Sequence, residues 1–201
     1  MIKNIVFDLG NVLVSFHPDK FVNENVPAPY REVFFKTVFG GKEWKDLDRG
    51  TLEYDRAVKI FSDKIPQCSE IIKDLFDSNI ISCLSPIKEN TDLLSKLKEN
   101  YNLYIISNFH YPAFDYIYKT WDFFKYFDGK IISGHCKLLK PEIEIYNLLI
   151  EKYNLNPNEC LFIDDVIENI EGAKKSGMNT LHLPVSKDLK NLLLKNYDIK
   201  L

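Results

Sequence analysis

Four polar clusters in this 201-residue chain stand where short apolar runs end or helical patterns begin. Asp8-Leu9-Gly10-Asn11 follows one apolar run, Ser107-Asn108 follows a second, and Asp164-Asp165 follows a third. Lys140 stands just ahead of Pro141, at the opening of a helical pattern. Taken singly, each cluster reads as ordinary turn or cap chemistry. Taken together they describe a reaction site. Three carboxylates in one cleft repel each other and raise one another's pKa, and a bound phosphate adds to the repulsion. A divalent cation between carboxylates and phosphate relieves it, with Lys140 as a further positive charge. Magnesium suits this role, because it takes oxygen ligands from one or two carboxylates, substrate phosphate and water. In such a site Asp8 attacks phosphorus in line, forming an aspartyl-phosphate that water hydrolyses. Ser107 holds the transferring oxygens through its hydroxyl and backbone N–H.

For these groups to meet, the runs ahead of them must be neighbouring strands. Asn4–Phe7, Leu103–Ile106, Lys130–Ile132, Cys160–Ile163 and Thr180–Leu183 are short, rich in Ile, Val or Phe, and end in polar or glycine clusters. Continuous apolar runs of this kind suit a parallel sheet covered on both faces. Helical patterns lie between them. Ser85-Pro86 reads as an N-cap and first helical position ahead of Ile87, Leu94, Leu97 and Tyr101. Pro141 opens a second helix through Ile145, Tyr146, Leu149 and Tyr153, and a third spans Ile167 to Ser176 with Gly177 just past its end. Strand and helix alternate from about residue 86 onward. The expected fold is α/β, a Rossmann-like doubly wound core with five parallel strands, whose ligands bind at the carboxyl edge. Residues 15–85 break the alternation with amphipathic runs such as Tyr30–Val38, Thr51–Ile65 and Glu70–Phe76, and read as an inserted helical unit.

Composition narrows the class. Hydrophobic residues make up 45% and charged residues 27%, as in ordinary globular proteins. No apolar run approaches the ~20 residues that a membrane span needs, and Met1–Phe7 does not read as a signal peptide. The net charge of −3 and the scattered basic residues give a nucleic-acid partner no electrostatic support. Cys68, Cys83, Cys136 and Cys160 show no metal-type or redox spacing. The expectation is a cytoplasmic protein acting on a small molecule, with neither nucleic acid nor membrane as partner.

Ile5-Val6-Phe7-Asp8-Leu9-Gly10-Asn11-Val12-Leu13, Tyr104-Ile105-Ile106-Ser107-Asn108, Lys140-Pro141-Glu142 and Leu161-Phe162-Ile163-Asp164-Asp165, continued by Asn169, Gly172-Ala173 and Ser176-Gly177-Met178, resemble the motifs of the haloacid dehalogenase-like hydrolase superfamily. Most members are phosphatases. The resemblance spans residues 1–14 and 86–201 as the core and makes 15–85 a helical cap of the first type. It implies magnesium as cofactor, a phosphomonoester substrate and a monomer. It makes Asp8 nucleophile and metal ligand, the Gly10 carbonyl a second ligand, and Asp165 a direct ligand. Asp164 ligates directly or through water. Ser107, Asn108 and Lys140 hold the phosphate, and Asn169 supports the acidic loop.

The opening Phe7-Asp8-Leu9-Gly10-Asn11-Val12 and the stretch Leu47-Asp48-Arg49-Gly50-Thr51-Leu52 also resemble the branch containing bacterial glucose-1-phosphate phosphatases. That implies a small sugar phosphate. Arg49 is then a cap-borne cation at the substrate or one half of a surface salt bridge. One departure stands out: many family phosphatases carry an acidic proton donor where this chain has Gly10. Loss of such a group costs ~10²–10⁴ in rate for a poor leaving group. A good leaving group needs it less. Otherwise another donor serves, and His17 and His110 are the nearest in sequence. A dehalogenase is disfavoured, since those relatives lack the paired acids seen at Asp164-Asp165. A phosphomutase also normally needs the missing acid. Flavin or nucleotide monophosphates, and a non-catalytic metabolite sensor, are the remaining alternatives.

Overall fold

The computed structural model describes residues 1–185, 187–197 and 199–200. Its centre is a parallel sheet of β1 (Asn4–Phe7), β4 (Asn102–Ser107), β5 (Gly129–Ile132), β6 (Cys160–Asp164) and β7 (Asn179–His182), in the order β5-β4-β1-β6-β7. Side chains alternate between the two faces, so each strand feeds two cores. Ile5, Phe7, Leu103, Ile105, Leu161 and Ile163 pack on one side with residues of α7 (Leu94–Lys98), α8 (Tyr111–Thr120) and α12 (Leu189–Tyr197). Val6, Tyr104, Ile106 and Phe162 pack on the other with α10 (Ile143–Tyr153) and α11 (Ile167–Lys175). Burial on both faces is why these strands read as unbroken apolar runs. Phe7 and Phe162 are fully buried on opposite faces, and each such side chain contributes about 1.5–3 kcal/mol.

β1 and β6 are paired from Asn4↔Cys160 to Phe7↔Ile163, and β1 and β4 from Asn4↔Asn102 to Phe7↔Ile105. This register places Asp8, Ser107 and Asp164 at one edge of the sheet, as the sequence anticipates. The switch in strand order beside β1 leaves a crevice there.

Residues 17–83 hold α1 (Pro18–Asn25), α2 (Arg31–Val38), α3 (Lys42–Arg49), α4 (Tyr54–Lys64) and α5 (Ser69–Asp74). These helices bury Phe34, Leu47, Phe61, Ile72 and Leu75 in a cluster of their own, which also takes in Ala113 of α8. The ends of this helical unit are tied by an antiparallel pair, β2 (Val14–Phe16) and β3 (Leu84–Pro86), with Val14↔Pro86 and Phe16↔Leu84. That pair corrects the expectation of a helix start at Ser85-Pro86. Pro86 ends a strand, Ile87 donates its N–H to Leu13 O at 2.9 Å, and the helical residues begin at Lys88 in the short α6 (Lys88–Thr91). Likewise α10 begins at Ile143 with Glu142 as its cap, not at Pro141. The short α9 (Ser133–Cys136) follows β5 and receives the end of α3.

Candidate active site

Asp8 is the first residue past β1, and its backbone N–H still donates to Ile163 O of β6 at 2.9 Å. The carboxylate is therefore carried on the central strand and held at its tip. Its Oδ1 accepts the Leu9 N–H at 2.6 Å and lies 2.7 Å from Lys140 Nζ. Lys140 is buried and also reaches Asp164 Oδ2 at 2.6 Å. Asp164 is fully buried and well served: Oδ1 accepts from Val166 N and Asn169 Nδ2, and Oδ2 from Lys140 and Asn169. Asn169 is itself fixed, its carbonyl accepting from Tyr146 OH at 2.8 Å. Asp165 is half-buried, and Asn11 Nδ2 donates to its Oδ2 at 2.9 Å.

One oxygen from each of Asp8, Asp164 and Asp165 lies within 4.8 Å of the others. Burial pushes the Asp8 carboxyl from 3.8 up to about 7; Lys140 opposes the rise and Asp164 adds to it. Burial likewise raises Asp165, against the hydrogen bond from Asn11. Burial works against the charge on Lys140, but Asp8 and Asp164 outweigh it and hold its pKa above the ordinary lysine value. One lysine thus faces three acids. An all-oxygen donor set, short of positive charge and within a few ångströms, fits a hard divalent cation such as magnesium. The Gly10 carbonyl accepts no hydrogen bond among the described residues, which leaves it available as a further oxygen.

Two of the expected site residues hold partners within the protein. Both ends of the Asn108 amide engage the Lys140 backbone: Oδ1 accepts Lys140 N–H at 2.9 Å, and Nδ2 donates to Lys140 O at 3.1 Å. Its side chain clamps the lysine loop. Of the two roles expected for Arg49, substrate cation or salt bridge, the structure contains the salt bridge. Its guanidinium donates to both carboxylate oxygens of Glu142, and to Lys137 O at 3.2 Å, so it ties α3 to the core. The pair lowers Glu142 and raises Arg49 through their shared hydrogen bonds.

The two histidines separate cleanly. His17 is exposed at the base of α1. His110 is buried, with its ring 4.3 Å from that of Trp44, Nδ1 3.3 Å from Tyr54 OH, and Nε2 3.2 Å from Asp48 Oδ1. It borders a cleft of about 200 Å³ between helical unit and core, lined by Gly10, Phe16, Trp44, Asp48 and Asn108 among others. Sequence reasoning missed Asp48 and Tyr54 as partners of His110. No spacing rule links them, because they come from α3, α4 and the start of α8.

Comparison with known proteins gives the family. The sequence matches the haloacid dehalogenase-like hydrolase family over residues 2–177, and the chain belongs to that family of hydrolases. It is 28% identical over 185 residues to a sesquiterpene phosphatase of Aspergillus oryzae, covering 90% of this chain and 89% of the relative. It is 26% identical over 198 residues to a D-ribitol-5-phosphate phosphatase of Bacteroides thetaiotaomicron, covering 90% and 91%. A solved family enzyme of the same bacterium, in complex with magnesium and inorganic phosphate, superposes with a TM-score of 0.74 at 24% identity, over 96% of this chain and 99% of that one. Among the described residues no helix is long and apolar enough to cross a membrane.

Proposed function

We propose that this hydrolase is a magnesium-dependent phosphatase of small phosphomonoesters, with Asp8 as nucleophile. The observation that carries the reading is the cluster of Asp8, Asp164 and Asp165 around buried Lys140 at the carboxyl edge of the sheet. Asp8, Asp165 and the Gly10 carbonyl would hold the ion, while Asp164, its lone pairs already engaged, holds Lys140 and Asn169 in place. Magnesium, when bound, supplies positive charge between the nucleophile and the phosphoryl oxygens. Lys140 sets a fixed cation against both Asp8 and the incoming phosphate. Ser107, buried at the tip of β4, offers a hydroxyl to the transferring oxygens. Asp8 forms the bond to phosphorus as the ester bond breaks, and water then cleaves the aspartyl-phosphate. The helical unit of 15–85 serves as the cap that shields this step from solvent.

A small sugar phosphate, glucose 1-phosphate included, is the favoured substrate class. The cleft of about 200 Å³ is smaller than the ~300–1,000 Å³ usual for drug-sized ligands, which weighs against flavin or nucleotide monophosphates. Phe16 and Trp44 stack at 5.6 Å on its wall, an aromatic surface suited to the apolar face of a sugar or other small alcohol. The test is phosphate release from sugar, flavin and nucleotide monophosphates, with magnesium or with chelator, beside Asp8→Asn. Magnesium-dependent release that vanishes in the variant supports the reading. No release from any ester, with phosphate and magnesium still bound, replaces it with the sensor.

A further inference from the structure

Gly10 leaves the cleft without an acid beside the nucleophile, and space is not the reason. A Cβ built there would meet only Asp8 Oδ2, at 3.9 Å. The wall at Gly10 thus fronts Asp8 directly. Across the same cleft stands His110. Its side chain is buried, and Nε2 has no hydrogen-bond partner among the described residues. Asp48 Oδ1 is 3.2 Å away but out of line with the ring N–H. A buried, unpaired ring nitrogen costs about 1–3 kcal/mol, which points to an oxygen that belongs there.

Resting on the phosphatase reading above, we infer that His110, oriented by Asp48, Tyr54 and Trp44, is the proton donor to the leaving group. Asp48 Oδ1 lies 3.2 Å from Nε2, and the Trp44 ring lies 4.3 Å from the imidazole. Nδ1–H then donates to Tyr54 OH, a phenol that burial keeps neutral by raising its pKa. His110 stands at the cap of α8, which fixes its backbone at the edge of the cleft.

The chemistry balances. Asp8 forms a bond to phosphorus while the ester P–O bond breaks. Its electron pair goes to the leaving oxygen, which takes the proton from His110 Nε2. In the second half, water attacks phosphorus and the bond to Asp8 breaks. The proton of water returns to Nε2, regenerating the imidazolium and releasing inorganic phosphate.

The experiment is a leaving-group series on wild type, His110→Gln and Asp48→Asn with magnesium, using alkyl phosphates and 4-nitrophenyl phosphate. Calorimetric binding of inorganic phosphate is the control. His110→Gln is expected to lose ~10²–10³-fold in kcat/KM on alkyl phosphates and under ~10-fold on the nitrophenyl ester, where protonation matters little. Asp48→Asn should follow the same pattern more weakly, and phosphate affinity should hold in both. Equal losses on both esters, or none, overturn the inference while leaving the phosphatase intact. A wild-type kcat/KM that falls steeply as leaving-group pKa rises, as for a leaving group that departs without a proton, overturns it without relying on any variant's folding. Wild type that hydrolyses no ester sinks the phosphatase reading and this inference together.

Discussion

Arg49, the last residue of α3, and Glu142, the cap of α10, form a two-point ion pair that ties the helical unit to the loop bearing Lys140. Glu142 Oε2 also accepts the Leu139 N–H at 3.1 Å. One carboxylate therefore orders the lysine loop and anchors the roof above it.

Breaking that pair should act on catalysis more than on stability. Both side chains are about a third exposed (32% and 35%), and such pairs are worth only ~0.2–1 kcal/mol. Arg49→Glu and Glu142→Arg should each lower kcat/KM by ~10-fold, and the exchanged pair should recover part of the loss through the coupling seen between contacting residues. Steady-state kinetics on the two single variants and the double variant read this directly. Strictly additive losses would show that the contact carries no function.

Gly50 makes the same junction depend on backbone. Its φ is +72°, and a Cβ there would stand 2.1 Å from Gly134 O of α9. Ser133 Oγ donates to the carbonyl of Asp48, just ahead of Arg49 and Gly50, so α3 ends directly against α9. Gly50→Ala should cost more than the ~1 kcal/mol of a left-handed alanine, because α3 must also retreat. Urea denaturation measures the loss, and brighter or shifted Trp44 fluorescence reports the opened cleft. An unchanged midpoint would contradict the close approach.

Much of the core was legible because it obeys local rules. Asn4–Phe7 and Cys160–Ile163 announce strands by continuous apolar runs, and the polar residues at their ends form the candidate site because parallel strands put their tips together. Gly177, at φ +86°, closes α11 where the pattern predicted. What escaped depends on distant pairing. Ser85-Pro86 reads locally as a helix start, but Val14–Phe16 lies beside it and makes it a strand. The grip of Asn108 on the Lys140 backbone joins two segments that no local pattern links. The Asp48–His110 contact joins α3 to the start of α8, which no spacing rule links.

The carboxylates should make the metal-free protein less stable at neutral pH than in mild acid. The Asp8 carboxyl rises from 3.8 to about 7 on folding. Between those values the folded state keeps a proton that the unfolded chain has lost, so its contribution to stability falls as pH rises through the window. The loss is on the order of 1–4 kcal/mol. Asp165, also raised by burial, works in the same sense. Lys140 is raised too, but its contribution is lost only at alkaline pH, above this window. In chelator, Tm should fall from about pH 5 toward pH 8, and Asp8→Asn should flatten the slope. Magnesium, which binds the ionised form, should restore Tm most at the high end. An Asp8→Asn slope equal to wild type would remove Asp8 as the cause.

Asn108 offers the sharpest separation of positioning from binding. Its amide holds the N–H and C=O of Lys140, whose Nζ lies 2.7 Å from Asp8 and 2.6 Å from Asp164. Asn108→Asp keeps the acceptor for the Lys140 N–H but loses the donor to its carbonyl, and adds a negative charge beside a cluster already rich in them. Asn108→Ala loses both hydrogen bonds without adding charge. A group that gripped phosphate in the ground state would raise KM when removed. A clamp on the catalytic lysine should instead lower kcat by ~10²-fold with little change in KM, as misplacement of about an ångström does. Asn108→Asp should be the worse of the two, because its charge also opposes the approach of phosphate. A rise in KM alone, with kcat intact in Asn108→Ala, would return Asn108 to the phosphate.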